Sequence, residues 1–101
     1  MSQFEYVLLD SAEDDLDETF IWYELHKQGL GVEFILEVEK TFLRISQFPL
    51  AAEKNFENTF RLVMRKFPYS IYYRIDLTTF HVHILGVLHH KRNPKTLKDR
   101  M

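Results

Sequence analysis

The residues best suited to chemistry lie near the end of the chain, where two histidines precede a lysine and an arginine: His89, His90, Lys91 and Arg92. A histidine exchanges a proton near neutral pH, and a cationic side chain can stabilise the charge of a reacting phosphate. Such a set could cleave RNA through its 2′-hydroxyl, which needs cations on the phosphate and a proton carrier. The candidate catalytic residues are Arg61, His89, His90 and Arg92. In the alternative interpretation, His89 ends a strand and bonds to backbone or solvent.

Two further histidines, His81 and His83, are two residues apart, a spacing that places both on one face of a strand. Two imidazoles on one face could bind a metal ion. His89 is six residues after His83, and the period of two would place it on the same face of the strand. Only Asp76 could add a nearby carboxylate, and the chain contains no cysteine. We therefore expect solvated histidines, with no metal ion and no other cofactor.

Aromatic residues offer a different kind of contact. Tyr69, Tyr72 and Tyr73 could stack on nucleic-acid bases. Alternating aromatic residues of a strand are more often part of a core or of a protein contact, which is the interpretation we favour. Trp22 lies off the main apolar stripe of its predicted helix, and the sequence leaves open whether it belongs to the core or to a binding groove.

Charge is divided unevenly along the chain. Residues 1–57 contain 13 acidic and 4 basic residues, a net charge of −9, whereas residues 58–101 contain 2 acidic and 9 basic residues, a net charge of +7. This separation predicts two surfaces with different partners. Proteins that bind RNA by releasing counterions are usually strongly basic, so a pI near 6.2 favours a protein target.

Two helices are predicted in the acidic half. Asp10, with Glu13 three residues later, predicts an N-terminal cap for a helix that runs to about residue 27. Gly29 and Gly31 are expected to break it.

The second helix is predicted from Val32 to about Gln47, and Pro49 marks its end. The short linker between the helices predicts an antiparallel hairpin. Residues 48–57 are predicted to form a loop.

The remaining elements are strands. A short apolar run at residues 4–9 predicts the first strand, and period-2 alternation predicts three more near residues 60–65, 70–75 and 81–89, joined as an antiparallel meander. The result is an α+β fold, β-α-α-β-β-β, with the helical hairpin packed on one face of an antiparallel sheet. The helix-facing residues of the last strand are predicted to be Val82, Ile84, Gly86 and Leu88. The opposite face is predicted to carry Arg61, Arg65, Tyr72 and Arg74.

Length and composition limit the class of protein. The 101 residues predict a single domain, 1–101, and the 46% hydrophobic content argues against disorder. The acidic N-terminal segment does not resemble a signal peptide, and no apolar run approaches the length of a membrane span. We expect a cytoplasmic protein, which is consistent with the absence of cysteine.

The predicted element order, the segment FPYSIYYRI at residues 67–75 and the closing HILGVLHHKRNP at residues 83–94 resemble the RelE/ParE family across essentially the whole chain. The resemblance implies a toxin of a bacterial type II toxin–antitoxin system, as in plasmid stabilisation, which an antitoxin wraps and neutralises. Free toxins of this family either cleave mRNA on the ribosome, as RelE-like members do, or inhibit DNA gyrase, as ParE-like members do.

RelE-like nucleases resemble one another at five positions, of which this chain matches two, Arg61 and Arg92. The other three are occupied by Val63, Ser70 and Lys98, where the nucleases have a basic residue, an arginine and a tyrosine. Histidines near the last strand also occur in some nucleases of the family. The incomplete set and the acidic half of the chain together favour the ParE-like branch.

The ParE-like resemblance implies a non-enzymatic protein that binds and inhibits DNA gyrase. The alternatives are a ribosome-dependent mRNA endonuclease and a degenerate member that binds an antitoxin without being toxic. The predicted target-binding residues are Arg61, Arg65, Tyr72, Arg74, His90, Lys91 and Arg92. The predicted antitoxin-binding residues are Trp22, Tyr69 and Tyr72. Arg74 could instead pair with an acid of the helices, and the free toxin could form a homodimer through its exposed surfaces.

Overall fold

The structure, a computed structural model, describes residues 4–100, so residues 1–3 and 101 of the predicted domain lie outside it. A first strand is followed by two helices and four further strands. These elements are β1 (Glu5–Leu8), α1 (Asp10–His26), α2 (Leu30–Gln47), β2 (Glu53–Phe56), β3 (Thr59–Val63), β4 (Tyr69–Asp76) and β5 (His81–His89). Two 3₁₀ helices, Pro49–Ala51 and Pro94–Arg100, precede β2 and follow β5.

The strands form one sheet in the order β1-β5-β4-β3-β2. The three pairs from β2 to β5 are antiparallel, whereas β1 lies parallel to β5. The parallel pair is possible because a long crossover, through the helices and the other strands, separates β1 from β5 along the chain. The predicted α+β class and the hairpin packed on a meander are confirmed, and the sheet as a whole is mixed.

The prediction of a loop at residues 48–57 is wrong. This segment contains the first 3₁₀ helix and β2, which pairs with β3 at the edge of the sheet. β2 has the sequence EKNF and lacks apolar alternation, because an edge strand contributes little to the core and tolerates charged side chains. The turn into β3 has Glu57 and Asn58 at φ 42° and 63°. Positive φ at both central residues is typical of a tight hairpin turn, and Asn58 was its signal in the sequence.

The predicted cap of α1 is also wrong. Leu9 occupies the N-cap position, no side chain caps the helix there, and Asp10 is the first helical residue. Leu9 cannot cap with its side chain, but its backbone carbonyl accepts hydrogen bonds from the N–H groups of Ala12 and Glu13. Asp10 and Glu13 still place negative charge on the first turn, where the helix dipole favours it.

The glycines at the hairpin have separate roles. Gly29, at φ 90°, is the N-cap of α2 and lies in the break between the helices, as predicted, whereas α1 itself ends at His26, with the extended Lys27 as its C-cap. Gly31 lies inside α2, so the prediction that it breaks the helix is wrong. A Cβ at Gly31 would lie 2.6 Å from the carbonyl oxygen of Phe20, so the glycine allows α1 and α2 to approach each other closely. No helix within residues 4–100 is long and apolar enough to cross a membrane.

The main core lies between the helices and one face of the sheet. A bulge interrupts the β4–β5 pairing, because Tyr72 opposes Gly86 while Tyr73 opposes Ile84. The extra residue, Leu85, reverses the alternation of β5 beyond it. Val87 therefore faces the helices and Leu88 the other side, which corrects the predicted face for Gly86 and Leu88. The buried residues of this core are Ala12, Tyr23, Phe34, Val38, Phe42, Ile45, Met64, Ile71, Tyr73, Val82, Ile84 and Val87.

The opposite face of the sheet is covered by the C-terminal 3₁₀ helix. Leu97 is fully buried there and forms a second apolar cluster with Tyr72, Leu85 and Leu88. The prediction of an open face in this part of the sheet is wrong, because the sequence pattern after residue 90 gave no indication of a covering helix.

A buried ion pair fixes that helix. Arg100 Nη1 lies 2.7 Å from Asp15 Oδ2, and Arg100 Nη2 lies 3.1 Å from Asp15 Oδ1. The same carboxylate accepts the N–H of Val87 at 3.0 Å, in the part of β5 that extends beyond its pairing with β1. Asp15 therefore connects α1 to β5 and to the C-terminal 3₁₀ helix. A Cβ at Gly86 would lie 2.5 Å from Arg100 Nη1, so only glycine leaves room for the pair.

Candidate functional site

Four predicted target-binding residues lie at one end of the sheet, which we call the basic end: Arg65, His90, Lys91 and Arg92. Lys91 and its two neighbours form an exposed turn after β5. The N–H of His90 donates to the carbonyl of Pro68 at 2.9 Å, which ties this turn to the loop that contains Arg65. None of the four forms an ion pair with a residue in the described part of the chain. The basic end is therefore available to an acidic partner.

Arg65 reaches this position from a loop and not from a strand. β3 ends at Val63, and Met64 closes the connection by donating its N–H to the carbonyl of Tyr69 at 3.0 Å. The prediction that Arg65 lies on a sheet face is wrong, because the alternation of apolar and basic residues continues two positions past the strand.

Arg61 lies on β3, away from the basic end. Its Nη2 is 3.2 Å from Glu53 Oε2 on the neighbouring edge strand. Its Nε is buried and has no hydrogen-bond partner among residues 4–100. Because β2 was not predicted, the pairing of Arg61 with Glu53 was not expected either.

The sheet separates Arg61 from His89. Arg61 is in register with Tyr72, which packs beneath Leu97 on the face opposite the helices. The ring of His89 lies 5.1 Å from the ring of Tyr69, which packs against the helix-side core. His89 Nδ1 accepts the N–H of Lys91 at 3.1 Å. The four candidate catalytic residues thus do not share one face.

Tyr72 was predicted to contact both a target and an antitoxin. Only 4% of its surface is exposed, because the C-terminal helix covers it. The expectation that Tyr72 lies on an accessible surface is wrong, because Leu97 of the C-terminal 3₁₀ helix packs over it.

Arg74 lies near the end of the sheet opposite the basic end. It is exposed and is in register with His83. With Leu77, Leu85 and Arg100 it lines an open cleft of about 610 Å³. Within residues 4–100 it has no ion pair with the helical hairpin, so the alternative of a structural pair is not observed.

A second open groove, of about 510 Å³, lies between α1 and the start of β4. Trp22 and Tyr69, two of the predicted antitoxin-binding residues, line it together with Glu18 and His89. Trp22 is 53% exposed, and its ring stacks on His26 at 3.8 Å. Burial and the neighbouring Tyr69 hydroxyl raise the pKa of Tyr23 at the floor of the groove.

His81 and His83, the pair considered for metal binding, lie at the start of β5. His81 Nε2 lies 3.5 Å from Glu5 Oε2, and the rings of His81 and His83 are 6.4 Å apart. In the described part of the chain, no group of three histidine, cysteine or acidic residues could hold a metal ion.

Comparison with known families identifies the chain. Residues 6–94 match the family described as the ParE toxin of the type II toxin–antitoxin system, parDE. The chain belongs to the ParE toxin family. It is therefore a toxin of a type II toxin–antitoxin system, and the resemblance seen in its strand and C-terminal motifs is confirmed. A sequence search among curated proteins finds no match.

Solved structures share the fold of this ParE-family toxin. The chromosomal ParDE system from P. aeruginosa matches with a TM-score of 0.74 at 14% identity, covering 85% of this chain and 95% of that one. The RelBE2 toxin–antitoxin complex from Mycobacterium tuberculosis matches with a TM-score of 0.58 at 27% identity, covering 86% and 98%. The E. coli RelBE complex matches with a TM-score of 0.57 at 13% identity, covering 88% and 99%.

Sequence reasoning missed one group of residues in this ParE-family toxin. Asp15, Gly86 and Arg100 come from three distant positions and meet in one contact. Asp15 looked like one of several acids on the first turns of α1. A signal was nevertheless present, because the helical spacing of Ala12, Asp15 and Thr19 places Asp15 on the buried face. A buried acid requires a cation.

Proposed function

We propose that this toxin acts by binding and inhibiting DNA gyrase, and that it does not cleave RNA. The observation that carries the proposal is the separation of Arg61 from His89 by the sheet. A nuclease needs its cations and its proton carrier around one phosphate. In this chain Arg61 is held by Glu53 on one face, and His89 lies beside Tyr69 on the other.

The positions that differ from the RelE-like nucleases support the same proposal. Ser70 is 1% exposed, so its hydroxyl does not reach the surface. Lys98 Nζ lies 3.7 Å from Glu57 Oε1, where it is partly neutralised. Val63 is 44% exposed and carries no charge. The sheet face next to Arg61 therefore offers RNA few free cations.

The basic end is the surface we assign to the target. Its residues are exposed and form no ion pair within residues 4–100, and the turn with Lys91 and Arg92 is tied to the loop with Arg65 by the hydrogen bond from His90 N–H to the Pro68 carbonyl. Exposed charges of this kind steer association and select an acidic partner. Arg74, in the cleft at the other end of the sheet, would make a second contact only with a target that spans both ends.

The antitoxin is proposed to bind the groove that contains Trp22 and Tyr69. The structural relatives include toxin–antitoxin complexes, which supports an antitoxin as partner. Half-exposed aromatic rings around a groove are typical of residues that contribute strongly to protein binding. Tyr72 is left out of this surface because it is buried.

Inhibition of DNA supercoiling by purified gyrase tests the target. The free toxin is expected to inhibit supercoiling, and the double variant Lys91→Ala, Arg92→Ala is expected to inhibit about tenfold more weakly, since two interfacial ion pairs are lost. The control Lys54→Ala, Lys98→Ala removes the same charge from β2 and from the C-terminal 3₁₀ helix, where Lys98 pairs with Glu57, and should inhibit normally. Supercoiling that is unaffected by the free toxin would overturn the proposal.

A ribosome-dependent mRNA endonuclease is the second candidate. One observation favours it, the 27% identity to the RelBE2 complex, which is higher than the identity to the ParDE system. Expression of the free toxin separates the two. A gyrase inhibitor should cause filamentation and DNA-damage signalling with intact mRNA, whereas a nuclease should cut mRNA at the ribosomal A site and lose that activity in His89→Gln and Arg92→Ala. A free toxin that causes neither DNA-damage signalling nor mRNA cleavage would contradict both candidate functions.

A further inference from the structure

One face of α1 carries an exposed row of residues that ends beside the groove. Asp14, Glu18, Ile21 and Leu25 follow the spacing i, i+4, i+7 and i+11, which places them in line on a helix surface. We call this row, together with Trp22, the α1 seam. Ile21 is 56% exposed and Leu25 82% exposed, and their helical spacing places both next to Trp22, which is 53% exposed, so the three form one apolar stretch.

The α1 seam is divided by charge. Its first half is acidic, and neither Asp14 nor Glu18 forms an ion pair within residues 4–100. Its second half is apolar. Glu37 of α2, by contrast, lies within 3.5 Å of both Lys40 and Lys66. The acids of the α1 seam are therefore available to a partner, as are the neighbouring exposed acids Asp10, Glu13 and Asp17.

We propose that the α1 seam binds an amphipathic helix of the antitoxin whose seam-facing side is basic at one end and apolar at the other. Arginine or lysine residues would lie opposite Asp14 and Glu18, and leucine-like residues opposite Ile21 and Leu25. An apolar stripe on an exposed helix is the usual partner of a second amphipathic helix. This inference rests on the proposal that an antitoxin binds beside Trp22.

The charge on the partner follows from complementarity. Residues 1–57 carry a net charge of −9, and Asp10, Glu13 and Asp17 add further exposed acids around the α1 seam. An acidic helix laid along this surface would meet like charge along its first half, which opposes association. The basic end lies beyond the groove, past His89, so acidic residues of the antitoxin would be favourable only in a segment that continues past the groove.

Synthetic peptides test the chemistry of the partner directly. Two helical peptides of about sixteen residues, enough to span the α1 seam at ~1.5 Å per residue, share one leucine stripe and differ only in flanking arginines or glutamates. Trp22 is the only tryptophan of the chain, so its fluorescence reports binding at the seam. The basic peptide is expected to bind about tenfold more tightly than the acidic one, and less tightly as salt is raised.

Charge reversal provides the matched pair of variants. Asp14→Lys with Glu18→Lys should invert the preference, so that the acidic peptide binds better. Glu33→Lys with Glu39→Lys makes the same charge change at two exposed acids of α2, which form no ion pair within residues 4–100, and should keep the preference for the basic peptide. Circular dichroism of both variants confirms that α1 is intact before the titrations are compared.

Two results would overturn the inference. The first is equal binding of both peptides, or no change of preference in the Asp14→Lys, Glu18→Lys variant. The second is self-association of the free toxin that this variant abolishes, which would assign the α1 seam to a second copy of the chain. Neither measurement involves gyrase. Loss of the gyrase proposal would therefore leave this inference standing, and the reverse also holds.

Discussion

The two faces of the sheet are buried by different means. The helix-facing side is covered by α1 and α2, and in the described part of the chain its core contains twelve buried residues. The other side is covered by a single 3₁₀ helix, Pro94–Arg100, over a cluster of four. A large apolar core can hold its helices without further help, whereas a short 3₁₀ helix with one buried leucine cannot.

The smaller face compensates with charge. The buried pair between Asp15 and Arg100 attaches the C-terminal helix to α1, and both side chains are largely shielded from solvent, at 6% and 15% exposure. A buried ion pair stabilises a structure only when its remaining hydrogen-bonding groups are satisfied. This condition is met, since Asp15 also accepts the N–H of Val87 and Arg100 also donates to the carbonyl of Leu85. The two faces should therefore respond differently to substitution.

Removing Arg100 is expected to have the largest effect. Arg100→Ala leaves the carboxylate of Asp15 buried without its cation, which should lower the free energy of unfolding by about 3 kcal/mol. The loss should be concentrated on the smaller face, so hydrogen exchange is expected to accelerate around residues 94–100 more than in α2. Urea unfolding and hydrogen exchange measure the two quantities.

Lys98→Ala is the control for that variant. Lys98 lies on the same 3₁₀ helix, but its ion pair with Glu57 is exposed, so the free energy of unfolding should change by less than about 0.5 kcal/mol. Equal effects of the two substitutions would contradict the distinction between a buried and an exposed pair.

Enlarging Gly86 should have the next largest effect. In Gly86→Ala the new Cβ would lie 2.5 Å from Arg100 Nη1 and 3.0 Å from Leu97 Cδ2, which are both held in place. Displacing them should lower the free energy of unfolding by about 1–3 kcal/mol. In the Arg100→Ala background the cost should fall, because the main clash is gone. Additive effects of the two substitutions would show that they do not act on the same contact.

Sequence periodicity was sufficient to predict which residues are buried on the helix-facing side of the sheet, the larger of the two cores. The spacing of Phe34, Val38, Phe42 and Ile45 predicts the buried stripe of α2, and all four are buried. The alternation of Ile71 and Tyr73 likewise predicts the core side of β4. These patterns are local, so one segment is enough to reveal them.

The smaller face could not be predicted in the same way. The bulge at Leu85 arises from pairing between two strands, and β2 is a charged edge strand without a pattern. The burial of Tyr72 depends on Leu97, 25 positions later in the chain. For the candidate site, residues 90–92 lie exposed in the turn after β5, and their role in target binding stays a prediction. Their separation from Arg61, however, required knowing which face each strand presents.

The smallest expected effect belongs to the helix-facing side. Its buried polar contact is neutral: the hydroxyl of Tyr73 donates to the carbonyl of Pro49 at 2.7 Å. Tyr73→Phe leaves that carbonyl without its partner and should lower the free energy of unfolding by about 1–2 kcal/mol. The exposed Tyr6 is the matched control, and Tyr6→Phe should have almost no effect.

The pH dependence distinguishes this neutral contact from the ionic one. Burial raises the pKa of Tyr73 to about 12, above the value near 10 of an unfolded tyrosine. The folded state therefore favours the protonated hydroxyl, so its contribution is fully present below pH ~10 and is lost as the pH rises toward ~12. Tyr73→Phe should flatten the stability curve in this window without abolishing its slope, because the pKa of Tyr23 is also raised. Arg100→Ala should leave the slope there unchanged, since Arg100 contacts Asp15 and Leu85 on the other face and not the Tyr73 hydroxyl. If Tyr73→Phe left the slope unaltered, or Arg100→Ala flattened it, the division of the two faces into a neutral and an ionic contact would be wrong.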